Sequence, residues 1–571
     1  MDCDLAIGSL LRSYRNGTQT PRGVLTELLK RCESAPGEIW ISRISGEQLE
    51  TYLKRLENCS PLELPLYGIP FAVKDNIDVA GLPTTAACPD FLFYPERSAR
   101  VVELLIEAGA VPLGKTNMDQ FATGLVGVRS PYGVVPNRLV PGFIAGGSSS
   151  GSAAALAYDL CSFALGTDTA GSGRVPAAFQ ELIGLKPSRG ILSCRGVVPA
   201  CRSLDCVSIF ARNTDDAGML LEITARFDPE DAYSRTLPAG GELPRHWKFG
   251  VPRQEELEFF GNSAYRDAFH CAVKRMERAG GEKVEIDFSP FRMAARLLYE
   301  GPWVFERYAA VGKFIKEHPG AALPVIEAII TPEKIPHPSE VFEAMYRLQE
   351  DKAAADAEFA KVDLILTPTA GTICTVGEVE ADPIRLNSKL GYYTNYMNLL
   401  DYSALAVPAN RAGNLPFGVT LAGKTFGDRI LLEAARRFRD AERYSIAVCG
   451  AHLVGMPLHS ELKELGARFL GSEKTAPCYR MFALEDGLIP KPALIRCGKE
   501  GELSAEAFAR FVARIPSPLG LGKLKLADGR LVPGFIGEAV AAETGTDISA
   551  VADWRVWAGV QTEQSPEGES L

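Results

Sequence analysis

Three consecutive serines flanked by glycines, in residues 146–152, form the first segment of the chain that could do chemistry. It contains the pattern G-x-S-x-G from Gly147 to Gly151, which would make Ser149 the nucleophile of a hydrolase elbow. Such an elbow needs a preceding strand and a histidine base. Residues 141–145 are a poor strand, and all 6 histidines lie at position 246 or later. The pattern therefore favours another use of these serines, although a distant histidine could still fold back.

A second small-residue segment, Gly166–Arg174, follows the strand-like run Ser162–Leu165. Small residues in a turn leave their backbone N–H groups free to converge on one point, which is the geometry of an oxyanion hole. Ser172 stands at the end of this turn and is the predicted nucleophile. We expect Asp168 and Arg174 to pair and hold the turn, the alternative being direct contact with substrate.

A serine hydroxyl needs a base at neutral pH, and a lysine made neutral by burial can supply it. Lys74 fits because it ends the apolar run Ile69–Val73 and is followed by polar residues. A single lysine at a strand end is more often a solvated tip, so this residue alone leaves both interpretations open.

The elements around these residues alternate between strand and helix. A strand at 69–73, a helix at 98–108 and a strand at 110–114 predict an α/β sheet. Thr20 is the predicted N-cap of a helix at 21–32. The composition from 124 to 196 predicts a packed region with close backbone approaches, not a linker. Further helices are predicted at 10–14, 152–158, 213–226, 264–278, 288–315, 338–360 and 428–440, and strands at 248–251, 362–366, 403–408 and 416–421.

The character of the sequence changes near residues 441–446, which predicts two domains, 1–442 and 446–571. In the second, Lys523–Leu526 and Arg530–Val532 predict a hairpin across Asp528–Gly529.

Composition excludes several function classes. The net charge of −10 provides no basic stripe for nucleic acid. No run approaches the roughly 18 apolar residues of a membrane span. The start is acidic where a signal peptide is basic, and the 13 cysteines are scattered without a CxxC pair. We therefore expect a cytoplasmic protein with reduced thiols, no metal and no organic cofactor.

Four ordered motifs carry a resemblance to a known family: Gly68–Asp75, Gly114–Phe121, Gly146–Ser152 and Gly166–Arg174. Across about residues 1–440 the chain resembles the amidase-signature family. The resemblance implies an α/β/α sandwich around a large mixed, twisted sheet.

By the same resemblance, Lys74 is the base and Ser148, on a cis peptide bond, relays the proton of the nucleophile Ser172. The oxyanion hole is formed by the N–H groups of Thr169, Ala170, Gly171 and Ser172. Many members have glycine where this chain has Ala170, and the backbone donor survives that change.

The segments Leu298–Tyr308 and Thr169–Pro176 resemble the allophanate hydrolase branch of the family, and so does the tail from Cys449 to about Trp557. This resemblance implies a small, planar, anionic amide substrate. It assigns substrate binding to three positions: the backbone of Gly124, Tyr299 and Arg307. An arginine matches a carboxylate with two parallel hydrogen bonds. Without the resemblance, Arg307 would be an exposed helix residue paired with Glu306 or Glu300.

The tail resembles an α+β γ-glutamyl cyclotransferase-like domain and is implied to assist breakdown of the first product. His452 is the candidate residue there, a hydrogen-bonded core histidine being the alternative. The family implies a homodimer and a functional link to a urea carboxylase. The rival interpretations are a malonamidase, an aliphatic amidase or the glutaminase subunit of a tRNA-dependent amidotransferase, with the tail as a binding or oligomerisation module.

Overall fold

The computed structural model describes residues 4–331 and 336–441 and, beyond them, the segments 444–448, 452–453, 456, 458–465, 467–471, 480–484, 491–495, 499–503, 519–525, 531–537 and 546–547. The chain divides into two compact units, Met1–Arg437 and Phe438–Leu571. The predicted domain limits, 1–442 and 446–571, stay a prediction. Among the described residues, no helix has both the length and the apolar character needed to cross a membrane.

The first unit is built on one 11-stranded sheet with the order β1-β3-β2-β4-β6-β5-β10-β11-β9-β7-β8. Parallel and antiparallel neighbours both occur, so the predicted α/β class with a large mixed sheet is confirmed. The strands are β1 (Trp40–Arg43), β2 (Pro70–Lys74), β3 (Val111–Thr116), β4 (Phe163–Asp168), β5 (Ile183–Lys186), β6 (Cys206–Ala211), β7 (Trp247–Pro252), β8 (Gly281–Ile286), β9 (Leu364–Pro368), β10 (Ser403–Pro408) and β11 (Gly418–Gly423).

Three neighbouring strands, β3, β2 and β4, run parallel. Their carboxyl ends therefore meet at one edge of the sheet, which is where open α/β sheets bind ligands. The register pairs Val73 of β2 with Leu165 of β4 and with Lys115 of β3. The residues that follow each strand are thereby brought together at that edge.

The helices before residue 441 agree with most of the predicted ones, and the Thr20 side chain accepts a hydrogen bond from Gly23 N as a predicted N-cap should. They are α1 (Ile7–Arg15), α2 (Pro21–Ser34), α3 (Gly46–Glu57), α4 (Arg100–Glu107), α5 (Ser150–Ala157), α6 (Val175–Phe179), α7 (Thr214–Thr224), α8 (Ser263–Arg278), α9 (Ser289–Glu300), α10 (Trp303–Arg307), α11 (Lys313–Glu317), α12 (Pro324–Ile330), α13 (Pro338–Phe359), α14 (Val376–Ala381), α15 (Arg385–Leu390), α16 (Tyr396–Leu399) and α17 (Asp428–Asp440).

The single helix predicted at 288–315 is wrong. The chain forms α9, breaks at Gly301, and continues as α10, a π-helical turn at Tyr308–Gly312 and α11. The break has a local cause, because Pro302 disfavours helical backbone in the residue before it. Gly301 accordingly has an extended conformation, with φ −102° and ψ −169°.

An aromatic core between the sheet and α9, α13 and α16 sets the position of α9. Phe291 of α9 stacks on Phe288 with ring centroids 5.3 Å apart and meets Tyr396 of α16 edge-on at 5.3 Å. Tyr299, in the last turn of α9, is half-buried and packs against the same core. The Tyr299 side chain is therefore oriented by its packing against the core that contains Phe291 and Tyr396.

The small residues of α5 let this helix lie directly on β2, β3 and β4. A Cβ atom on Gly151 would lie 2.6 Å from both backbone N and O of Asn117, so no larger residue fits there. The predicted close backbone approach in residues 124–196 is confirmed at this point. This close contact fixes the distance between the sheet and the serines that precede Gly151.

The second unit contains a sheet with the order β13-β16-β12-β18-β17 and another with the order β15-β14-β19. Its described elements are β12 (Tyr444–Val448), α18 (His459–Glu464), β13 (Arg468–Gly471), β14 (Arg480–Leu484), β15 (Lys491–Ile495), β16 (Lys499–Leu503), β17 (Leu519–Lys525), β18 (Leu531–Gly537) and β19 (Thr546–Asp547). The described part of the predicted hairpin, residues 523–525 and 531–532, lies in the antiparallel pair β17 and β18. Leu526, the turn at Asp528–Gly529 and Arg530 lie outside the described residues.

Candidate active site

Lys74 ends β2 and is completely buried. Its Nζ lies 2.8 Å from Ser148 Oγ and 2.8 Å from Thr167 Oγ1. The interpretation of Lys74 as a solvated strand tip is therefore wrong.

Burial lowers the pKa of Lys74 to about 7, because the ammonium form loses its hydration. The carboxylates of Asp119, Asp168 and Asp205 oppose this shift, and Arg307 adds to it. A substantial fraction of Lys74 is then the neutral amine at neutral pH, which is the form that can accept a proton.

Ser148 is completely buried, and the Gly147–Ser148 peptide bond is cis. The chain on either side is anchored, since Gly147 N donates to Leu125 O at 2.8 Å and Asp119 N donates to Ser148 O at 3.0 Å. The hydroxyl is thereby held against Lys74.

Ser149 and Ser152 each donate a hydrogen bond to a backbone carbonyl. Ser149 Oγ donates to Thr167 O at 3.2 Å and Ser152 Oγ donates to Leu165 O at 2.8 Å. Within the described part of the chain, no histidine hydrogen-bonds to Ser149. The structure thus offers no support for a histidine-dependent elbow.

Ser172 follows β4 and is 4% exposed. Its Oγ donates to Gly124 O at 3.4 Å. The backbone N–H groups of residues 169–172 are buried and donate no hydrogen bond to any residue that the structure describes. Buried N–H groups without a partner are rare in folded proteins. Four in succession form a donor set that an incoming oxyanion can use.

Asp168 and Arg174 form the predicted pair, which is confirmed with two parallel hydrogen bonds. Arg174 Nε and Nη2 each lie 2.9 Å from a carboxylate oxygen of Asp168, and both side chains are completely buried. Gly173 N also donates to Asp168 at 2.9 Å. The ion pair therefore closes the turn that carries Ser172.

Asp119 holds the facing loop and was not singled out from the sequence. Its buried carboxylate accepts hydrogen bonds from the backbone N of Val126 (3.2 Å), Gly127 (3.1 Å) and Arg129 (2.9 Å). The loop between them includes Gly124. The available signal was its position three residues after β3, a strand that is buried throughout, where a free carboxylate would be costly.

Thr167 and Asp205 were also missed. Thr167 contacts Lys74, and Asp205 is a buried carboxylate that accepts a hydrogen bond from Thr169 Oγ1. Nothing in the local pattern distinguishes these residues from ordinary strand and turn positions, because Lys74 lies 93 positions from Thr167 and Thr169 lies 36 positions from Asp205.

Arg307 ends α10 and is only 2% exposed. Its Nη1 donates to Thr123 Oγ1 at 3.1 Å and to Ala122 O at 3.5 Å, and its guanidinium carbon lies 5.8 Å from the centre of the Tyr299 ring. In the described residues it forms no ion pair, and its Nε has no hydrogen-bond partner. Thr123 is followed by Gly124, whose carbonyl oxygen accepts the hydrogen bond from Ser172 Oγ.

The alternative for Arg307, an exposed residue paired with Glu306 or Glu300, is wrong. Glu306 accepts hydrogen bonds from Ser203, and Glu300 pairs with Arg296 on the surface. The break at Gly301 ends α9 before α10 begins, so the position of Arg307 does not follow from the pattern of α9.

His452 lies in the second unit, where its Nε2 is 3.4 Å from Glu461 Oε2. Burial lowers its pKa, and Glu461 opposes the shift. The described residues hold no group of three or more histidine, cysteine or acidic side chains that could bind a metal ion. The catalytic and binding roles of all these residues stay predictions.

Residues 23–432 match the Amidase family, and residues 444–559 match the family described as the allophanate hydrolase C-terminal domain. The chain is 41% identical to the urea amidolyase of Lachancea kluyveri over 92% of its own length and 31% of the relative's. It is 40% identical to the urea amidolyase of Saccharomyces cerevisiae, over 95% of the chain and 32% of the relative. The chain thus spans about a third of the length of these curated relatives.

Among solved structures, the allophanate hydrolase of Kluyveromyces lactis matches with a TM-score of 0.73 and 38% identity, over 97% of this chain and 99% of that chain. The Amidase match alone covers well over half of the 571 residues. The chain therefore belongs to the amidase family, and its amidase domain is followed by an allophanate hydrolase C-terminal domain.

Proposed function

We propose that the chain hydrolyses allophanate (urea-1-carboxylate) to ammonia and carbon dioxide. The observation that carries the proposal is the buried guanidinium of Arg307, which forms no ion pair in the part of the chain that the structure describes. A buried cation is costly unless an anion compensates it. A substrate carboxylate is the compensating group that we propose, bound by the free side of the guanidinium beside Tyr299.

The similarity to urea amidolyases and to an allophanate hydrolase supports the choice of this anion, because it extends over the amidase domain and the C-terminal domain together. Allophanate is short, planar and negatively charged. Its terminal amide carbon is separated from the carboxylate by a single nitrogen, so one compact pocket can bind both ends.

In the proposed first step, Ser172 Oγ attacks the terminal amide carbon. Its proton passes to Ser148, whose own proton passes to the neutral amine of Lys74. The N–H groups of Thr169, Ala170, Gly171 and Ser172 stabilise the oxyanion of the tetrahedral intermediate. The proton then returns through Ser148 to the leaving nitrogen, and ammonia departs.

The acyl-enzyme that remains carries the substrate carboxylate on Arg307. Water attacks it through the same relay, and the product is an amine with two carboxylates. Breakdown of this unstable product releases the second ammonia and carbon dioxide. We propose that the C-terminal domain, with the γ-glutamyl cyclotransferase-like fold and His452 as its candidate residue, assists that breakdown.

A second candidate function is hydrolysis of another anionic amide such as malonamate, with the C-terminal domain as a binding or oligomerisation module. The same buried arginine favours it, because malonamate also has a carboxylate one atom away from a terminal amide carbon. Simple aliphatic amides and glutamine-dependent transfer fit less well, since neither explains a C-terminal domain of the allophanate hydrolase type.

The test is ammonia release by the purified chain from allophanate, malonamate and urea. We expect rapid turnover of allophanate that Ser172→Ala abolishes while Ser149→Ala retains it. If the enzyme hydrolyses malonamate and not allophanate, the proposed relay stands and the proposed substrate is wrong. Activity lost in Ser149→Ala and retained in Ser172→Ala would contradict the assignment of the nucleophile.

A homodimer, a cytoplasmic location and a functional link to a urea carboxylase stay proposals as well. The link is supported by the length of the urea amidolyase relatives, about three times the matched region. Coupled assays with and without a urea-carboxylating enzyme would test it.

A further inference from the structure

Residues 200–205 form a short connection, called the bracket below, that contacts the turn of Ser172 from one side. Its last residue, Asp205, is buried and accepts hydrogen bonds from three donors: Thr169 Oγ1, Ala200 N at 2.8 Å and Cys201 N at 3.2 Å. Thr169 is also the first of the four residues with unpartnered N–H groups. The carboxylate therefore ties the bracket to the start of the proposed oxyanion turn.

The same bracket contacts α10 from its other side. Ser203 donates to the Glu306 carboxylate from both its backbone N (2.6 Å) and its Oγ (2.7 Å). Cys201 Sγ donates to Trp303 O at 3.4 Å. Glu306 immediately precedes Arg307, so the helix that carries the guanidinium is docked on the bracket at both of its ends.

Burial raises the pKa of Asp205 to about 6, although its hydrogen bonds and the charge of Arg307 oppose the shift, and no cation of the described residues is in ion-pair contact with it. Such a group is costly in a protein interior, where an apolar side chain would serve for packing alone. A carboxylate can nevertheless accept several hydrogen bonds at once in fixed directions. That property is needed where a turn must be held in one position and is of no use for filling space.

We infer that the bracket fixes the separation between the guanidinium of Arg307 and the oxyanion turn, with Asp205, Ser203 and Glu306 as positioning residues. The inference rests on the proposed function, in which these two sites bind the two ends of one short substrate. Because the ends of the substrate are so close, a displacement of α10 by a few tenths of an ångström moves the amide carbon away from Ser172. Displacements of this kind are expensive in catalysis.

A double-mutant cycle tests the bracket. Thr169→Val removes the hydroxyl donor to Asp205 and keeps the backbone N–H, whereas Glu306→Gln weakens the hold on Ser203. Independent sites have effects on kcat/KM that multiply, and coupled sites do not. We expect each single variant to lower kcat/KM about tenfold. The loss in the double variant should be smaller, by a factor of about five or more, than the product of the two single losses, because either change already frees the bracket.

Glu300→Gln is the matched control, the same change on the neighbouring helix in a side chain that pairs with exposed Arg296. Its effect should be small and should multiply with that of Thr169→Val. Ser203→Ala replaces Glu306→Gln in the cycle if the latter does not fold, as judged by its thermal unfolding midpoint.

The inference would be overturned if the effect of Thr169→Val on kcat/KM simply multiplied with that of Glu306→Gln and with that of Ser203→Ala. An unchanged kcat/KM in Thr169→Val would overturn it as well. The cycle is measured on allophanate or malonamate, whichever the wild-type enzyme hydrolyses faster. A preference for malonamate contradicts the proposed substrate alone, because malonamate also spans the two sites, and the cycle still decides on the bracket.

Discussion

Lys74 Nζ lies 2.8 Å from Ser148 Oγ at a place where neither side chain reaches solvent. The contact joins the end of a central strand to the residue two positions before a helix, elements that are 74 residues apart in sequence. Because the surroundings exclude water, the ammonium form of Lys74 is disfavoured and its pKa falls to about 7. The lysine is thereby suited to accept a proton from a serine under physiological conditions.

We expect kcat/KM to rise with pH through an apparent pKa near 7 and then to level off. The neutral amine is the active form, and it is depleted when the pH falls below the pKa of Lys74. Ammonia release measured from about pH 5.5 to about pH 9 would show this acid limb. A profile that is flat across neutrality would contradict the assignment of Lys74 as the base.

Thr167→Val should move this acid limb to lower pH. The substitution keeps the shape of the side chain and removes an oxygen that accepts a hydrogen bond from Lys74 at 2.8 Å. The protonated amine loses more than the neutral one, so the pKa of Lys74 falls further. The pH profile of the variant checks the direction, and a shift to higher pH would count against it.

Ser148→Ala should lower kcat by about 1,000-fold or more, since it interrupts the proposed relay between Ser172 and Lys74. Ser149→Ala is the adjacent, matched change, and it removes only a hydrogen bond to Thr167 O. We expect that variant to stay within about tenfold of the wild type. Steady-state ammonia release from both variants makes the comparison, and the reverse ranking would favour Ser149 as the reacting serine.

Arg307→Gln should raise KM for allophanate by about 100-fold with a smaller change in kcat, because it removes the charge proposed to bind the carboxylate. Arg307→Lys should fall between this variant and the wild type, since an ammonium is a point charge without the planar fork. Arg296→Gln, on the exposed surface of α9, is the control. An unchanged KM in Arg307→Gln would show that the arginine does not bind the substrate carboxylate and has a structural role only.

Arg174→Met should destabilise the first unit by about 3–5 kcal/mol, because it leaves Asp168 buried without its partner. The exposed Arg296–Glu300 pair provides the contrast, and Arg296→Met should leave stability unchanged within error. Chemical denaturation of the full-length variants measures both effects. Equal stability of the two variants would show that the buried pair contributes no more than a surface pair.

Several features of the fold were predictable because they depend on neighbouring residues. The cap at Thr20, the strand ending at Lys74 and the small-residue helix after Ser148 follow from local residue types and were found close to where the sequence indicated. The prediction of a single helix at 288–315 was wrong because it followed the apolar pattern and gave too little weight to Gly301 and Pro302, where the helix breaks. Strands β1, β5, β6 and β8 were not predicted from the sequence.

The sequence by itself determined which residue types are available for chemistry: a lysine at a strand end, serines among glycines, and an arginine beyond a proline break. It could not determine their surroundings, since burial and hydrogen bonding arise from segments far apart along the chain. Only the tertiary structure decided that Lys74 loses its hydration, that Arg307 is buried without an ion pair among the described residues, and that Asp205 ties residues 200–205 to the turn at Thr169. These are properties of packing, and packing depends on contacts that no local pattern records.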